Sequence, residues 1–534
     1  MTNTQLTPNS RADLLDRLEQ ETFDVVVIGA GITGAGVARD AAGRGLSVAL
    51  IEAEDFASGT SSRSSKLIHG GLRYLASGEV DLVRKTARER QAVHAMAPHL
   101  AEPCYMVVPA RNLAGATKFR AGIGTYEKLG GIGDADRHQN WGTDEIVVNE
   151  PLLRADTYTR AVAYREYLTD DARLVLGVLR AAVADGAVVA NRLPMVRAKE
   201  LNGKLVGVVA RCHETGREVT VGASVVVNAA GPWVDDVVCM ELDVVAAGTE
   251  PSTRLHLSRG IHVVLERRRL PVNHLVICTA EDRRSVFVIP RGDSVYIGTT
   301  DTSYGGDRPL WPEIEPEDVR YLLAPMDRYF DIEPLTFDDV IATWAGVRPL
   351  VAQEGKAAKE ISRKDEVVVG PGGMVSIAGG KLTGFRRMAE DVVEVVAKQL
   401  GRRLPDGPGT AAIPGGEPEE VADDALSVRL GRMYGSEAAD VLALGPEPLI
   451  EGVPVVAGEV DWAIDVEAAT SLEDVVYRRT RVAWYVAAHR DELACSMAAR
   501  MAVKLGWTSQ QTEIELAQVR ARFADELSFK GDAP

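Results

Sequence analysis

An apolar run from Phe23 to Ile28, broken only by Asp24, stops at Gly29-Ala30-Gly31-Ile32-Thr33-Gly34, and a helical stretch and a second apolar run follow. A strand that is apolar on both faces belongs in a parallel sheet covered by helices. Ile32 to Arg44 reads as the helix, with small inward residues Ala35, Val37, Ala38, Ala41 and Ala42, and Gly45 ends it. Val48 to Ile51 closes a β-α-β unit, with Glu52 at its end. Gly29 allows a tight turn, Gly31 lets the backbone approach a pyrophosphate, and Gly34 permits close helix-strand packing beneath a positive helix terminus. Glu52 is placed to accept hydrogen bonds from an adenosine ribose, and its charge would repel the extra phosphate of NADP. FAD and NAD remain.

Two later segments separate them. Ser224 to Asn228 runs into Ala229-Ala230-Gly231-Pro232-Trp233, where small residues at a strand end again allow a cofactor close. Met374 to Ile377 ends in Ala378-Gly379-Gly380 and enters a helix through Lys381-Leu382-Thr383, a second dipole terminus. One early and one late segment converging on one nucleotide favours FAD in a Rossmann-like α/β fold of the two-dinucleotide-binding type. Pairs of short runs, Leu205 to Arg211 with Arg217 to Val221 and Val286 to Pro290 with Val295 to Thr299, predict hairpins of an antiparallel substrate domain outside the nucleotide-binding layer. Gly401 to Asp424 is rich in proline and glycine without apolar periodicity, whereas Leu472 to Ala488 and Thr512 to Leu527 carry helical spacing. The expected organisation is a tail and short Ser10-capped helix over 1–19, and an FAD-binding domain over 20–400. Substrate-domain parts lie within the latter at about 105–150 and 240–340. A linker over 401–424 and a C-terminal α-helical domain over 425–534 complete it.

Composition narrows the partners. Sixty Lys and Arg against 77 Asp and Glu leave a net charge of −17, which repels phosphate backbones and argues against nucleic acid, so an anionic ligand needs a local basic pocket. Five scattered cysteines without C-x-x-C spacing suggest neither a disulfide framework nor a metal site. Without a secretory signal or an apolar run of membrane-spanning length, the expected location is cytoplasmic. The run Arg267-Arg268-Arg269 reads as a solvated charge run before a lipid contact.

Read together, Gly29 to Gly36 with Asp40 to Gly45, Ser61 to Tyr74 (SSRSSKLIHGGLRY), Asn228 to Trp233 (NAAGPW), Gly298 to Asp301 (GTTD), Gly346 to Leu350 (GVRPL) and Gly379 to Thr383 (GGKLT) resemble the FAD-dependent, aerobic-type glycerol-3-phosphate dehydrogenases over most of residues 20–400. The helical tail resembles that family's C-terminal domain. The resemblance implies FAD, sn-glycerol 3-phosphate as donor, dihydroxyacetone phosphate as product and a quinone as electron acceptor. It also implies a peripheral membrane contact on the inner face of the cell membrane, and a homodimer is a further expected partner. Phe385 stands where the family usually has tyrosine, and the loop from Arg348 to Arg363 matches the family poorly.

Oxidising an alcohol beside a phosphate needs a hydride acceptor, a base for the hydroxyl proton and cations for the phosphate. Arg73, Arg348, Arg363 and Lys381 lie in or beside the quoted motifs and by resemblance converge on the substrate, with Tyr74 as a hydrogen-bond donor. His262 is the candidate base, since an imidazole suits proton abstraction near neutrality, and Arg348 would stabilise the substrate oxygen. Thr60, Ser61, Ser65, Lys66, Leu67 and His69, with Gly231, Gly380, Lys381, Leu382 and Thr383, are the remaining candidate cofactor contacts. The other seven histidines, among them His99, are expected to be structural or exposed. A glycerol-3-phosphate oxidase using oxygen, an amine or amino-acid oxidase of the same fold, and a non-enzymatic flavin-binding protein are the rival readings.

Overall fold

The computed structural model describes residues 4–70, 80–246, 248, 255–307, 310–352, 365–418 and 422–532. Arg73, Tyr74 and Arg363 lie outside these residues. Two sheets organise the described chain, one with eight strands and one with ten. The first runs Asp365–Val369, Val375–Gly379, Glu218–Asn228, Thr22–Ile28, Val48–Ile51 and Val188–Ala190 from edge to edge. From Val375–Gly379 onward its neighbours are parallel, as the apolar runs require. Alternation along the strand sends Val25 and Val27 into one core and Val26 and Ile28 into the other, which Phe23 at the strand start also joins, all at most 6% exposed. Helices Ile32–Gly43, Asp171–Ala184 and Phe385–Leu400 cover the first face; the small residues of the first helix permit this close stacking. Helix Arg11–Gln20 begins as expected, with the Ser10 side chain accepting from the Asp13 amide, a cap worth about 1 kcal/mol.

The first hairpin is placed differently from the sequence expectation. Arg217 to Val221 and Ser224 to Asn228 are two halves of one strand, Glu218–Asn228. Its first half pairs antiparallel with Lys204–Arg211, and its second half continues beside Thr22–Ile28. The hairpin is therefore an antiparallel wing of the nucleotide-binding sheet, because one continuous strand carries both pairings, with Gly222 opposite Gly207 on one side and Thr22 on the other.

The second hairpin, Ser285–Arg291 with Ser294–Gly298, does sit in the second sheet. That sheet also takes in Leu67–Ile68, Arg160–Thr169 and Val340–Val351, outside the stretches anticipated for it. Its longest pairing joins Leu255–Glu266 to Val340–Val351, with Gly260 opposite Gly346 and His262 opposite Trp344.

The breaker-rich segment is held along the nucleotide-binding layer. Ile413 is buried against Gly177, its amide donates to the Met96 carbonyl, and the Arg39 guanidinium donates to Ala411. Beyond it the chain is helical, with Ala425–Tyr434, Ala438–Leu444, Ala457–Asp465, Arg490–Leu505 and Ser509–Asp525. The stretch Leu472 to Ala488, read as having helical spacing, is not one helix. It comprises a short turn Leu472–Asp474, a π-turn Val475–Arg479, and a short helix Val482–Tyr485 entered through Arg481 in the left-handed region (φ 61°). The guanidinium groups of Arg478, Arg479 and Arg481 are directed into the protein, and burying three charges overrides helical spacing. The Arg267 to Arg269 run is tied to its own chain through Gly292, Val272, Glu266 and Asp339.

Candidate active site

Gly29 adopts φ 97°, and a Cβ there would lie 2.7 Å from the Ala229 carbonyl oxygen, so the first strand end and the Asn228-Trp233 turn touch through a glycine. A Cβ on Gly34 would collide with the Gly29 carbonyl, which is the close packing expected of the third glycine. The first turn of helix Ile32–Gly43 opens onto a cavity of about 510 Å³, within the usual range for cofactor sites. Gly29, Gly31, Glu52, Thr60, Ser61, Gly231, Gly380, Lys381 and Leu382 all line it, so the early and late glycine turns meet there.

Glu52 Oε2 accepts from the Ala30 amide at 2.6 Å and Oε1 from the Glu54 amide at 3.0 Å, leaving further lone pairs on the cavity wall. Burial pushes its carboxyl up from the ordinary range, against the pull of those two amides. Ser61 Oγ accepts from the Ile32 amide at 2.9 Å, and a Cβ on Gly31 would sit 3.1 Å from that oxygen. Sequence reasoning missed Trp233, Pro194 and Met195 on the same wall. A dinucleotide fits this donor set, with a carboxylate for the ribose, glycines for close approach and a helix terminus for the pyrophosphate.

Beyond the cavity, loop 60–66 lies on one face of the second sheet. Successive residues on that face are Trp344, Gly346 and Arg348 on one strand and Gly260 and His262 on its partner, with Gly298 opposite His262. The glycines make the surface receptive. A Cβ on Gly346 would come 2.9 Å from the Arg63 carbonyl oxygen, and one on Gly298 or Gly260 would run into the His262 ring or the Arg348 guanidinium. Four hydrogen bonds fasten the loop, from Thr60 Oγ1 to the Val347 carbonyl, from Trp344 Nε1 to Ser64, from the Tyr296 hydroxyl to Ser65, and between Ser65 Oγ and His262 Nε2 at 2.9 Å.

His262 is 1% exposed and stacks on Trp344 at 4.7 Å and 14°. Burial first, then the charges of Lys66 and Arg348, hold its imidazole well below the usual range, so the ring is neutral. Nδ1 has no hydrogen-bond partner among the described residues. Arg348 donates to Thr299 Oγ1 at 2.9 Å and lies 3.5 Å from Asp301. Thr383 Oγ1 donates to the His69 carbonyl and accepts from the His69 amide, both at 3.2 Å, which ties the 67–69 segment to the second glycine turn. Leu67 is buried in the short strand beside Arg160–Thr169, so its side chain packs into the core.

Lys66 departs from the picture of a cavity-lining ammonium. It is fully buried, donates to the Ser62 carbonyl at 2.8 Å and to Asp171 at 3.0 Å, and lies over the Trp344 and Trp484 rings. Burial, then the nearby Arg481, draws it down to about 7 against the pull of Asp171. Asp55, Asp171, Arg479 and Arg481 around this loop went unread in the sequence; their one signal is the Arg478-Arg479-Thr480-Arg481 run inside an otherwise apolar stretch. Phe385, 1% exposed, packs against Gly36, a core position that asks for no hydroxyl.

Comparison with known proteins agrees with this architecture. A family model for FAD dependent oxidoreductases matches residues 24–386, and one for the C-terminal domain of alpha-glycerophosphate oxidase matches residues 381–512. An aerobic glycerol-3-phosphate dehydrogenase of Staphylococcus aureus (strain USA300) is 40% identical over 394 residues, covering 73% of this chain and 70% of the relative. The structure of a glycerol-3-phosphate dehydrogenase from Bacillus halodurans complexed with FAD superposes with a TM-score of 0.80 at 31% identity, over 98% of this chain and 99% of the other. The FAD-bound L-alpha-glycerophosphate oxidase of Mycoplasma pneumoniae, at 17% identity, a TM-score of 0.54 and coverage of 73% and 98%, shares the fold alone. The two glycine turns, the sheet beneath them and these similarities place the chain in the FAD-dependent oxidoreductases, in the aerobic glycerol-3-phosphate dehydrogenase family.

Proposed function

We propose that the chain oxidises sn-glycerol 3-phosphate to dihydroxyacetone phosphate and passes the two electrons to a membrane quinone. The observation that carries this reading is the meeting of both glycine turns on one cavity whose wall holds Lys381 and Pro349, next to the sheet face bearing Arg348 and His262. When bound, FAD supplies the hydride acceptor, taking hydride from the carbinol carbon at flavin N5.

The protein does the rest. His262, a neutral imidazole, accepts the hydroxyl proton, with Ser65 Oγ fixing its ring orientation through Nε2. Arg348, held by Thr299 and Asp301, presents a fixed positive charge to the substrate oxygen as its proton leaves. Lys381 contributes charge for the phosphate, and the resemblance adds Arg73, Arg363 and the Tyr74 hydroxyl to it. A cation on the cavity wall, Lys381, with Arg348 on the neighbouring sheet face, suits a dianionic substrate in a chain of net charge −17.

A quinone acceptor requires contact with a membrane. Among the described residues no helix is long and apolar enough to cross one. Helix Leu113–Gly130 supports a peripheral contact, since Leu113 (65% exposed) and Phe119 (39%) stand among exposed Arg111, Lys118 and Arg120.

The test is an anaerobic titration of the purified flavoprotein. Glycerol 3-phosphate should bleach the flavin band, whereas glycerol and sarcosine should leave it. Flavin reduced by sarcosine and unaffected by glycerol 3-phosphate would select an amine oxidase instead. Comparing oxygen uptake with reduction of a quinone analogue then separates dehydrogenase from oxidase, and rapid peroxide formation would overturn the quinone assignment.

A further inference from the structure

Loop 53–66 leaves the second strand of the nucleotide-binding sheet, lines the cavity through Ala53, Glu54 and Ser58 to Ser61, and ends on His262. One side of it rests on the glycine-rich sheet face. The other side is held by the C-terminal turn Val475–Arg481, more than 400 residues away in sequence. At the near end, Asp55 is 1% exposed and accepts from Arg478 Nε and from both terminal nitrogens of Arg479. Arg479 also donates to the Glu467 carbonyl at 2.6 Å.

At the far end, Arg481 donates to the Ser62 carbonyl at 3.0 Å and to Asp171 Oδ1 at 2.8 Å. The same two acceptors receive Lys66 Nζ, and Asp171 Oδ2 takes the Ser64 amide and hydroxyl. Residues 64 and 66 are therefore pinned by one buried carboxylate that a C-terminal guanidinium helps to neutralise, and residue 62 by the two cations that share it. Ala57, Lys66 and Arg481 all adopt left-handed backbone (φ 61°, 55° and 61°). Non-glycine residues stay there only where their surroundings over-determine them.

Stabilising the fold does not require this arrangement. Buried ion pairs add little net stability compared with apolar packing, yet here they are placed at the two ends of the loop that lines the cofactor cavity. We propose that Arg479 and Arg481 are positioning residues of the FAD site, so that the helical C-terminal unit sets the shape of loop 53–66 and through it the affinity for FAD. Neither guanidinium lines the cavity; each acts through the residues it holds. This rests on the FAD assignment above, and the experiment keeps the two apart.

Full-length holoprotein is stripped of FAD and titrated with it, following quenching of flavin fluorescence below the melting temperature of each apoprotein. Wild type that binds no FAD would overturn the cofactor assignment itself. Granted wild-type binding, Arg479→Met and Arg481→Met should weaken FAD on the order of 10-fold or more, the scale of outer-shell losses at bound groups, and shift the visible flavin spectrum. Arg481→Lys, which keeps a cation for Asp171, should recover part of the loss. Arg490→Met is the control: Arg490 is a buried C-terminal arginine paired with Glu526, with no hydrogen bond to loop 53–66. It should lower the melting temperature while leaving FAD affinity within about 2-fold, since it bonds neither the loop nor Asp55 or Asp171. Unchanged affinity in both Met variants, or an equal loss in Arg490→Met, overturns the proposal. If the Met variants do not fold, Arg479→Lys, Arg481→Lys and Asp55→Asn decide it, and wild-type affinity in all three overturns it.

Discussion

Replacing Gly298 by alanine probes whether the His262 ring must stand where it does. A Cβ built on Gly298 would lie 2.6 Å from His262 Nε2 and 2.7 Å from Cγ, and nearer still to Cδ2. Ordinary contact begins near 3.4 Å, so clearing Cδ2 requires the ring to retreat by well more than about 1 Å. It cannot do so in place, because Trp344 is stacked on it at 4.7 Å and Ser65 holds Nε2 at 2.9 Å. A misplacement of about 1 Å in a catalytic group costs on the order of 10²-fold, or about 2.7 kcal/mol in the barrier. Overpacking the sheet face should cost a further ~1–3 kcal/mol of stability. The assay is stopped-flow bleaching of bound flavin by glycerol 3-phosphate under anaerobic conditions, with FAD content checked first. Gly305→Ala, where an added Cβ meets nothing within 4 Å, should be silent. If Gly298→Ala retains its flavin and reduces it at the wild-type rate, His262 is not the proton acceptor in the position described.

Other substitutions read other parts of the site. Gly29→Ala places a methyl group 2.7 Å from the Ala229 carbonyl at φ 97° and should abolish FAD retention on gel filtration. Arg348→Met removes the charge proposed to face the substrate oxygen and should lower kcat/KM by roughly 10²–10³-fold, with FAD affinity unchanged by titration. His99 is drawn down to about 3 by burial, then by Arg173 and Arg180, so its stabilisation is complete above about pH 6.5 and fades as pH falls from there toward 3. By pH 5 the loss amounts to about 2 kcal/mol. In urea melts at pH 5 and pH 8, His99→Gln should show a correspondingly smaller difference between the two.

What the sequence disclosed follows from how locally each feature is determined. The glycine turn at Gly29–Gly34, the short capped helix Arg11–Gln20 and the strand ending at Gly379 each follow from residues within about ten positions, and the structure has all three. The strand Glu218–Asn228 was harder. Its two halves read as separate runs, yet one strand serves two pairing schemes. The Leu472 to Ala488 stretch misled for the opposite reason, since its helical spacing is real but Arg478, Arg479 and Arg481 answer to carboxylates at Asp55 and Asp171. Lys66 belonged to a recognised motif, and its side chain still turned toward Asp171 in place of the cavity. No local pattern announces a partner about 100 to 400 residues distant. The glycine turns that line the cavity were legible, while Asp55, Asp171, Arg479 and Arg481, which hold its loop in place, were not.

The bonds from Arg479 to Asp55, 424 positions apart, bear on how the protein is made. A chain emerging from the ribosome can assemble its first β-α-β unit early, since the contacts are close in sequence. The loop at the cofactor mouth gains its last anchors only when translation has passed residue 481. If FAD affinity depends on these anchors as proposed, products ending before residue 479 should hold flavin poorly, and cofactor loading waits on the C-terminal turn.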